Sequence, residues 1–297
     1  MRPQARQRPA FIMNFELDTY CVMGNPVEHS RSPWIHARFA ELTCQTMSYE
    51  RQLVALDGFE RAVRRFGDKG GRGCNVTVPF KLQAAELADS RSERVQLAQA
   101  ANTLVFRADG IYADNTDGLG IVADITVNAA TPITGRDVLL LGAGGAAAGA
   151  LGALLAQKPR RLVVSNRTAA KAQQLVAQHA IAAALYNTEL LVLDTQALAV
   201  NSTANFDIII NATASSLAGA EVPAPASVLR PGSLAYDMMY GPAAQPFLAW
   251  AQQHGAVARD GLGMLVEQAA ESFELWRGVR PPSVQVLNEL RALLQAA

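Results

Sequence analysis

The sequence predicts an α/β fold built as two α/β domains, on three observations. Strand-type and helix-type segments alternate along the whole chain. The strands of the middle third are continuous apolar runs, as in strands buried on both faces. One of these runs ends in a glycine-rich turn that opens an alanine- and leucine-rich helix. A chain of 297 residues is long enough for two cores.

The elements follow in order. Thr19–Met23 is β-prone and stops at Gly24-Asn25-Pro26, a turn signal. Ser32-Pro33 reads as an N-cap followed by proline at the first helical position, with helix to about Leu42. Met47–Leu53 is strand-like and Phe59–Phe66 helical. Gly70, Gly71 and Gly73 read as a breaker before a short strand, Cys74–Val78, closed by Pro79. Lys81–Leu87 resumes helix. Asp137–Leu141 is the first buried-type strand, followed by a helix over Ala146–Ala156. Arg161–Ser165, Phe206–Ile210 and Ser233–Asp237 are further strands, and Ala169–His179 and Pro246–His254 further helices. Gly261–Gly263 breaks the pattern before two apolar helices, Met264–Trp276 and Ser283–Leu294. Ala218–Ala226 is a Pro/Ala-rich surface loop. Residues 1–16 stand apart: Arg2, Arg6 and Arg8 precede Met13 with no acid between, but Pro3 and Pro9 deny the segment an apolar core. It reads as a disordered tail, or as a start assigned too early.

Composition narrows the function classes. Twenty-six basic residues balance 26 acidic ones, which argues against a nucleic-acid partner. No apolar run approaches the ~20 residues of a membrane span. Three cysteines make no disulfide framework and point to a reducing, cytoplasmic compartment. His29, His36, His179 and His254 lack metal-ligand spacing, so no metal is expected. Cys74 has no base spaced to activate it, and Trp250 and Trp276 fall in apolar helices, so all three read as structural. Positive charge is carried mostly by arginine; the lysines are Lys69, Lys81, Lys158 and Lys171.

Gly142, Gly144 and Ala147 occupy the three positions of G-x-G-x-x-G/A, directly after a strand and opening a helix. The first glycine permits the tight turn, the second lets a pyrophosphate approach the backbone, and the small third residue lets helix and strand pack closely. Amide groups at the helix start then face the phosphates. Small-residue helix packing alone would also explain the triplet, but the strand before it and the βαβ pattern after it favour a Rossmann-type dinucleotide site. About 20 residues further on, where an acid would bind the ribose of NAD, stand Ser165-Asn166-Arg167-Thr168 and then Lys171. A guanidinium without an acid suits a 2′-phosphate, hence NADP, although Arg167 and Lys171 would also serve as an ordinary solvated helix start.

Four polar clusters lie outside that unit: Gly24-Asn25-Pro26 with His29–Pro33, Asn75–Lys81, Ala101–Leu104 and Asp114–Gly118. Their hydroxyls, amides, lysine and carboxylate could surround a polyhydroxylated acid. Each also has a structural alternative: Ser32 as an N-cap, Asp117 as a loop turn former, Asn102 as a turn residue.

In order along the chain stand GNPVEHSRSP (24–33), NVTVPFK (75–81), ANTL (101–104), DNTDG (114–118) and GAGGA (142–146). NRT (166–168), NAT (211–213), YDMMY (236–240) and DGLGMLVEQA (260–269) follow. From about Tyr20 to Trp276 the chain resembles the shikimate dehydrogenase family, NADP-linked enzymes of the aromatic pathway. That resemblance implies a Rossmann-type NADP-binding domain and a discontinuous substrate-binding α/β domain, with reversible reduction of 3-dehydroshikimate to shikimate in the cleft between them. The expected division is 17–116 plus 261–297 for substrate and 117–260 for cofactor. By the same resemblance Lys81 and Asp117 are the catalytic pair. Ser30 and Ser32, helped by Tyr240, would take the substrate carboxylate; Thr77, Asn102 and Gln268 would take ring hydroxyls. The cofactor would be held by Gly142, Ala143, Gly144, Gly145 and Ala146, by Asn166, Arg167, Thr168 and Lys171, and by Thr213, Met238 and Gly261.

The chain departs from the family pattern at Gln245, where threonine is common, at Ala214 for serine and at Ser216 for glycine, all on the cofactor side. Glu28 is charged where a smaller residue is expected, and reads as solvent-facing. The expected partner is a small molecule, with the chain a monomer or homodimer. The rivals are a quinate/shikimate dehydrogenase preferring NAD and a non-catalytic NADP-binding sensor, the latter disfavoured by the presence of both Lys81 and Asp117.

Overall fold

Two six-stranded sheets organise the described residues. The computed structural model describes residues 17–194, 198, 205–213, 222 and 224–296; the segment 1–16, Ala214, Ser216 and most of the loop 218–226 lie outside them.

The first sheet contains β1 (Asp18–Gly24), β2 (Met47–Leu53), β3 (Gly71–Val76), β4 (Ser90–Arg91), β5 (Thr103–Arg107) and β6 (Gly110–Asp114), in the order β2-β1-β3-β5-β6-β4. Strands β2, β1 and β3 are parallel, and β5 runs antiparallel to both β3 and β6. Helices α1 (Ser32–Leu42), α2 (Phe59–Asp68), α3 (Lys81–Leu87) and α4 (Glu93–Ala98) connect them. One core lies between this sheet and α2–α4, with Met23, Val63, Cys74, Phe80 and Leu104 at its centre.

Helix α5 (Asp117–Ala123) and a wide π-helical turn, Asp124–Asn128, lead into the second sheet. There β7 (Asp137–Leu141), α6 (Gly145–Ala156), β8 (Arg161–Ser165), α7 (Ala169–Gln178), α8 (Ala180–Leu185) and β9 (Glu189–Val192) form one half. The other half holds β10 (Ile208–Asn211), β11 (Leu234–Asp237), α9 (Gln245–Gln253) and β12 (Val257–Arg259). The order β12-β11-β10-β7-β8-β9, all parallel, is the doubly wound arrangement, with its switch point between β7 and β10. Its apolar strands are covered on both faces. Val138, Leu140, Leu162 and Val164 face one core, whereas Leu139, Leu141 and Val163 face the other. Two helices close the chain, α10 (Leu262–Arg277) and α11 (Ser283–Gln295), packing against α1, α5 and each other.

The structure departs from the sequence expectations in several places, beginning with Ser32, which is the first residue of α1 while Arg31 holds the cap position. Strand β3 begins at Gly71, so Gly71 and Gly73 are strand residues rather than a breaker. Both are glycine because neighbours crowd the backbone: a Cβ on Gly71 would lie 2.4 Å from the Phe66 ring, and one on Gly73 2.5 Å from Trp276 Nε1. The β5–β6 hairpin, unrecognised from sequence, turns at Ala108-Asp109, and Gly110, at φ +128°, pairs with Arg107 as the first residue of β6. Asp117 is the first residue of a helix, not a loop turn former. Gly263 lies inside α10 rather than breaking it, and is glycine because a side chain there would collide with the Asp124 carboxylate.

Candidate active site

The loops at the C-terminal ends of the first sheet's parallel strands are tied to one another by main-chain bonds. The Thr77 amide donates to the Met23 carbonyl at 2.9 Å, and Asn25 N–H to the Val78 carbonyl at 3.1 Å. The Arg51 guanidinium donates to the Ser30 carbonyl through Nε and Nη2, at 3.0 and 2.6 Å, fixing the loop that carries the two serines. These loops, α5 and the start of α10 enclose a cavity of about 330 Å³. Ser30, Ser32, Thr77, Lys81, Asn102, Asp117, Tyr240 and Gln268 all line it, as do Met238 and Gly261.

Lys81 begins α3 and Asp117 begins α5. Their side chains meet across the cavity, Nζ to Oδ2 at 2.5 Å, with the carboxylate 8% exposed. The other carboxylate oxygen accepts from Asn102 Nδ2 at 2.9 Å, and the Asp117 amide donates to Asn115 Oδ1. Asn102 is itself the hub of a buried network. Its Oδ1 accepts from the Thr116 amide at 2.8 Å and its Nδ2 also reaches Gln268 Oε1 at 3.2 Å. It is therefore not the turn residue that its position alone allowed. An ammonium held against a carboxylate can exchange a proton with an oxygen placed in the cavity, and the partly enclosed surroundings strengthen that interaction over its value in water.

Several lining residues were not picked out from sequence. Asn75 Nδ2 bonds Asn102 O, Thr103 Oγ1 and Ser272 Oγ, and its Oδ1 accepts from the Tyr49 hydroxyl at 2.7 Å. Its place in NVTVPFK was the available signal. Arg31 and His29 also line the cavity, and Met264 and Leu265 supply apolar lining. Burial raises the pKa of Tyr240, opposed by the nearby charge of Arg31, and so keeps its hydroxyl a donor. Glu28 is exposed and caps the Val27 amide. Cys74 is fully buried, and burial raises the pKa of its neighbour Cys21.

The remaining predicted residues gather at the C-terminal edge of the second sheet. Gly142 has φ +108°, and a Cβ there would lie 3.0 Å from the Ala212 carbonyl. Gly144, Gly145 and Ala146 are exposed at the start of α6, and a Cβ on either glycine would meet nothing within 4 Å. The first turn of that helix holds no acid and no side chain caps it. Its amides thus face open space at the switch point, a cradle that fits a pyrophosphate. Arg167, Thr168 and Lys171 are exposed after β8, and neither cation has an ion pair among the described residues. No acid occurs from Ser165 to Lys171, so the donor set fits a 2′-phosphate. The Asn166 side chain instead holds the Thr168 carbonyl at 2.9 Å. Thr213 bonds Asn211 Oδ1 at 2.7 Å beside Gly142. A Cβ on Gly261 would lie 2.2 Å from Met238 O, so those two segments touch backbone to backbone.

Comparison with known proteins agrees with this geometry. Residues 22–104 match the shikimate dehydrogenase substrate binding domain, 124–223 the shikimate / quinate 5-dehydrogenase domain, and 261–291 the shikimate 5′-dehydrogenase C-terminal domain. The shikimate dehydrogenase (NADP(+)) of Acidovorax ebreus is 71% identical over 284 residues, covering 96% of this chain and 99% of that protein. The crystal structure of an Ael1 enzyme from Pseudomonas putida is 46% identical, with TM-score 0.84 over 92% of this chain and 98% of that one. That of the Thermus thermophilus shikimate 5-dehydrogenase in complex with NADP(H) and shikimate is 28% identical, with TM-score 0.81 over 93% and 99%. With its fold, its cavity and relatives of this identity along nearly its whole length in agreement, the chain belongs to the shikimate dehydrogenase family.

Proposed function

We propose that this chain catalyses the reversible, NADP-dependent reduction of 3-dehydroshikimate to shikimate, and that Lys81 and Asp117 do its proton chemistry. The observation that carries the reading is the 2.5 Å Lys81–Asp117 pair in a cavity otherwise lined by hydroxyls and amides. The nicotinamide, when bound, supplies or accepts the hydride. Lys81 Nζ gives a proton to the oxygen that becomes the alcohol, and takes it back in the reverse direction. Of the two long cationic side chains lysine can do this and arginine cannot, since a guanidinium does not release its proton. Asp117 holds that ammonium in place and accepts from a neighbouring ring hydroxyl. Ser30, Ser32 and Tyr240 donate to the substrate carboxylate; Thr77, Asn102 and Gln268 bond the hydroxyls, Asn102 exchanging one of its internal partners for the substrate.

Gly142–Ala146 would hold the pyrophosphate of the dinucleotide, and Arg167, Thr168 and Lys171 its 2′-phosphate, with Asn166 shaping that loop. Thr213, Met238 and Gly261 border the nicotinamide end. In this reading residues 17–116 with 261–297 form the substrate lobe and 117–260 the cofactor lobe. A site that bonds each hydroxyl rejects analogues lacking one, because buried partners would go unpaired. The test is a two-by-two assay of the purified chain with shikimate or quinate and NADP⁺ or NAD⁺. Growth of the reduced-nicotinamide absorbance fastest with shikimate and NADP⁺ is expected. A folded chain that binds NADP⁺ yet turns over neither acid overturns the reading.

A further inference from the structure

The two connections between the sheets run side by side. One passes from β6 through α5 into the π-helical turn 124–128; the other passes from β12 through Asp260-Gly261 into α10. Helices α5 and α10 touch backbone to backbone: a Cβ on Gly120 would lie 2.7 Å from Met264 O and 2.8 Å from Gln268 N. At the far end of α5 sits Asp124, fully buried. Arg259 from β12 donates to it through Nε at 3.0 Å and Nη2 at 2.5 Å. The Tyr236 hydroxyl from β11 donates at 2.7 Å, and Asn128 Nδ2 at 3.0 Å. Gly263 of α10 lacks a side chain where this carboxylate lies.

Asp124 stands seven residues beyond Asp117. On a helix that spacing places both on one face, about 10 Å apart along the axis. One end of α5 therefore presents a carboxylate to Lys81, and the other end is pinned to two strands of the second sheet. A buried ion pair adds little net stability over an apolar replacement of the same shape. What three directed donors on one carboxylate do supply is a fixed position and rotation for the helix that carries it.

We propose that Asp124, held by Arg259 and Tyr236, is a positioning residue that sets where α5 places Asp117 relative to the cofactor-binding edge of the second sheet. The inference rests on the reading of Lys81 and Asp117 as the catalytic pair. Asp124 touches neither substrate nor cofactor in it; it acts through α5 alone. The π-helical turn that begins at Asp124 is compatible with this role, since such turns are frequent at functional sites.

The experiment compares Tyr236→Phe and Asp124→Asn with the unaltered chain in three measurements. These are the single-turnover rate of hydride transfer from shikimate to saturating NADP⁺, the Kd for NADP⁺ alone, and the melting temperature. The expected result is a transfer rate about tenfold lower with the NADP⁺ Kd unchanged within about twofold, since small misplacements of reacting groups cost rate steeply. Tyr236→Phe, which leaves Asp124 paired with Arg259, decides the matter if Asp124→Asn does not fold. A lower melting temperature with an unchanged transfer rate assigns the cluster a structural role only and overturns the proposal, as does a loss confined to NADP⁺ affinity. An unaltered chain inactive with shikimate is distinguishable from both, and removes the functional reading together with this one.

Discussion

At the scale of single residues, Arg167 and His36 show two ways in which one side chain decides behaviour. Arg167 is exposed beside the phosphate cradle, with no acid nearby in sequence. Arg167→Ala is expected to raise the KM for NADP⁺ by about tenfold or more, the value of one charge-assisted, bidentate contact, and to leave the KM for NAD⁺ nearly unchanged. Steady-state kinetics with both cofactors check this. His36 is fully buried beneath the site, stacked on Tyr49 at 4.1 Å between ring centroids, with both ring nitrogens unpaired. Burial lowers its pKa to about 3 from an ordinary 6.5, slightly opposed by Asn75. The unfolded chain therefore binds a proton that the folded chain refuses over that interval, and this histidine's contribution to stability is lost as pH falls from 6.5 towards 3. His36→Phe removes that proton uptake without leaving a buried nitrogen unpaired. Its denaturation midpoint is expected to fall less between pH 7 and pH 4 than that of the unaltered chain. Nothing in the spacing of His36 announced this: a histidine on an apolar helix face reads only as core, and its pKa depends on neighbours from other elements.

Among elements, legibility followed burial. The apolar strands and long helices were readable because each must cover a continuous face, as Asp137–Leu141 and Ser283–Gln295 do. The dinucleotide turn was readable because strand, glycines and helix are consecutive. Strands β4, β5, β6, β9 and β12 are not legible in the sequence, being two to five residues long and mostly partly exposed, so that any apolar run in them is too short to tell strand from helix. The glycines of β3 were misread for a different reason. Gly73 avoids Trp276, from a helix distant in sequence, and Gly71 avoids Phe66 only because the chain folds back on the preceding helix; periodicity carries no trace of either contact. Gly73→Ala tests this. Its Cβ would also lie 2.5 Å from the Leu104 carbonyl, a backbone atom unable to yield cheaply. The variant is expected to lose about 1–3 kcal/mol in chemical denaturation, the usual cost of overpacking. A midpoint equal to that of the unaltered chain would show that the sheet yields there.

At the scale of the whole molecule, the site exists only because two sheets and two crossing helices meet. Lys81 comes from one connection, Asp117 from the bridge between the sheets, and Gln268 from the returning helix. Motifs separated by more than 150 residues in sequence, Asn102 and Gln268 among them, touch at 3.2 Å. Their residue types were legible in the sequence, and the family resemblance ordered them. The internal wiring was not: the bonds that Asn75, Ser272 and Asp124 make depend on how segments far apart in sequence pack. Among the described residues no helix is long and apolar enough to cross a membrane. The balance of charge is compatible with the proposed local handling of anions at the serine loop and at Arg167. In a protein that otherwise favours arginine, the lysine at position 81 fits the proposed role, which needs a side chain able to release its proton. The most direct test is therefore Lys81→Ala, with kcat for shikimate oxidation and the Kd for NADP⁺ measured on the same preparation. A fall in kcat of about 10²–10⁴-fold is expected, the usual contribution of a positioned acid–base group, with NADP⁺ binding unchanged. A variant that keeps kcat within about threefold of the unaltered chain would contradict it.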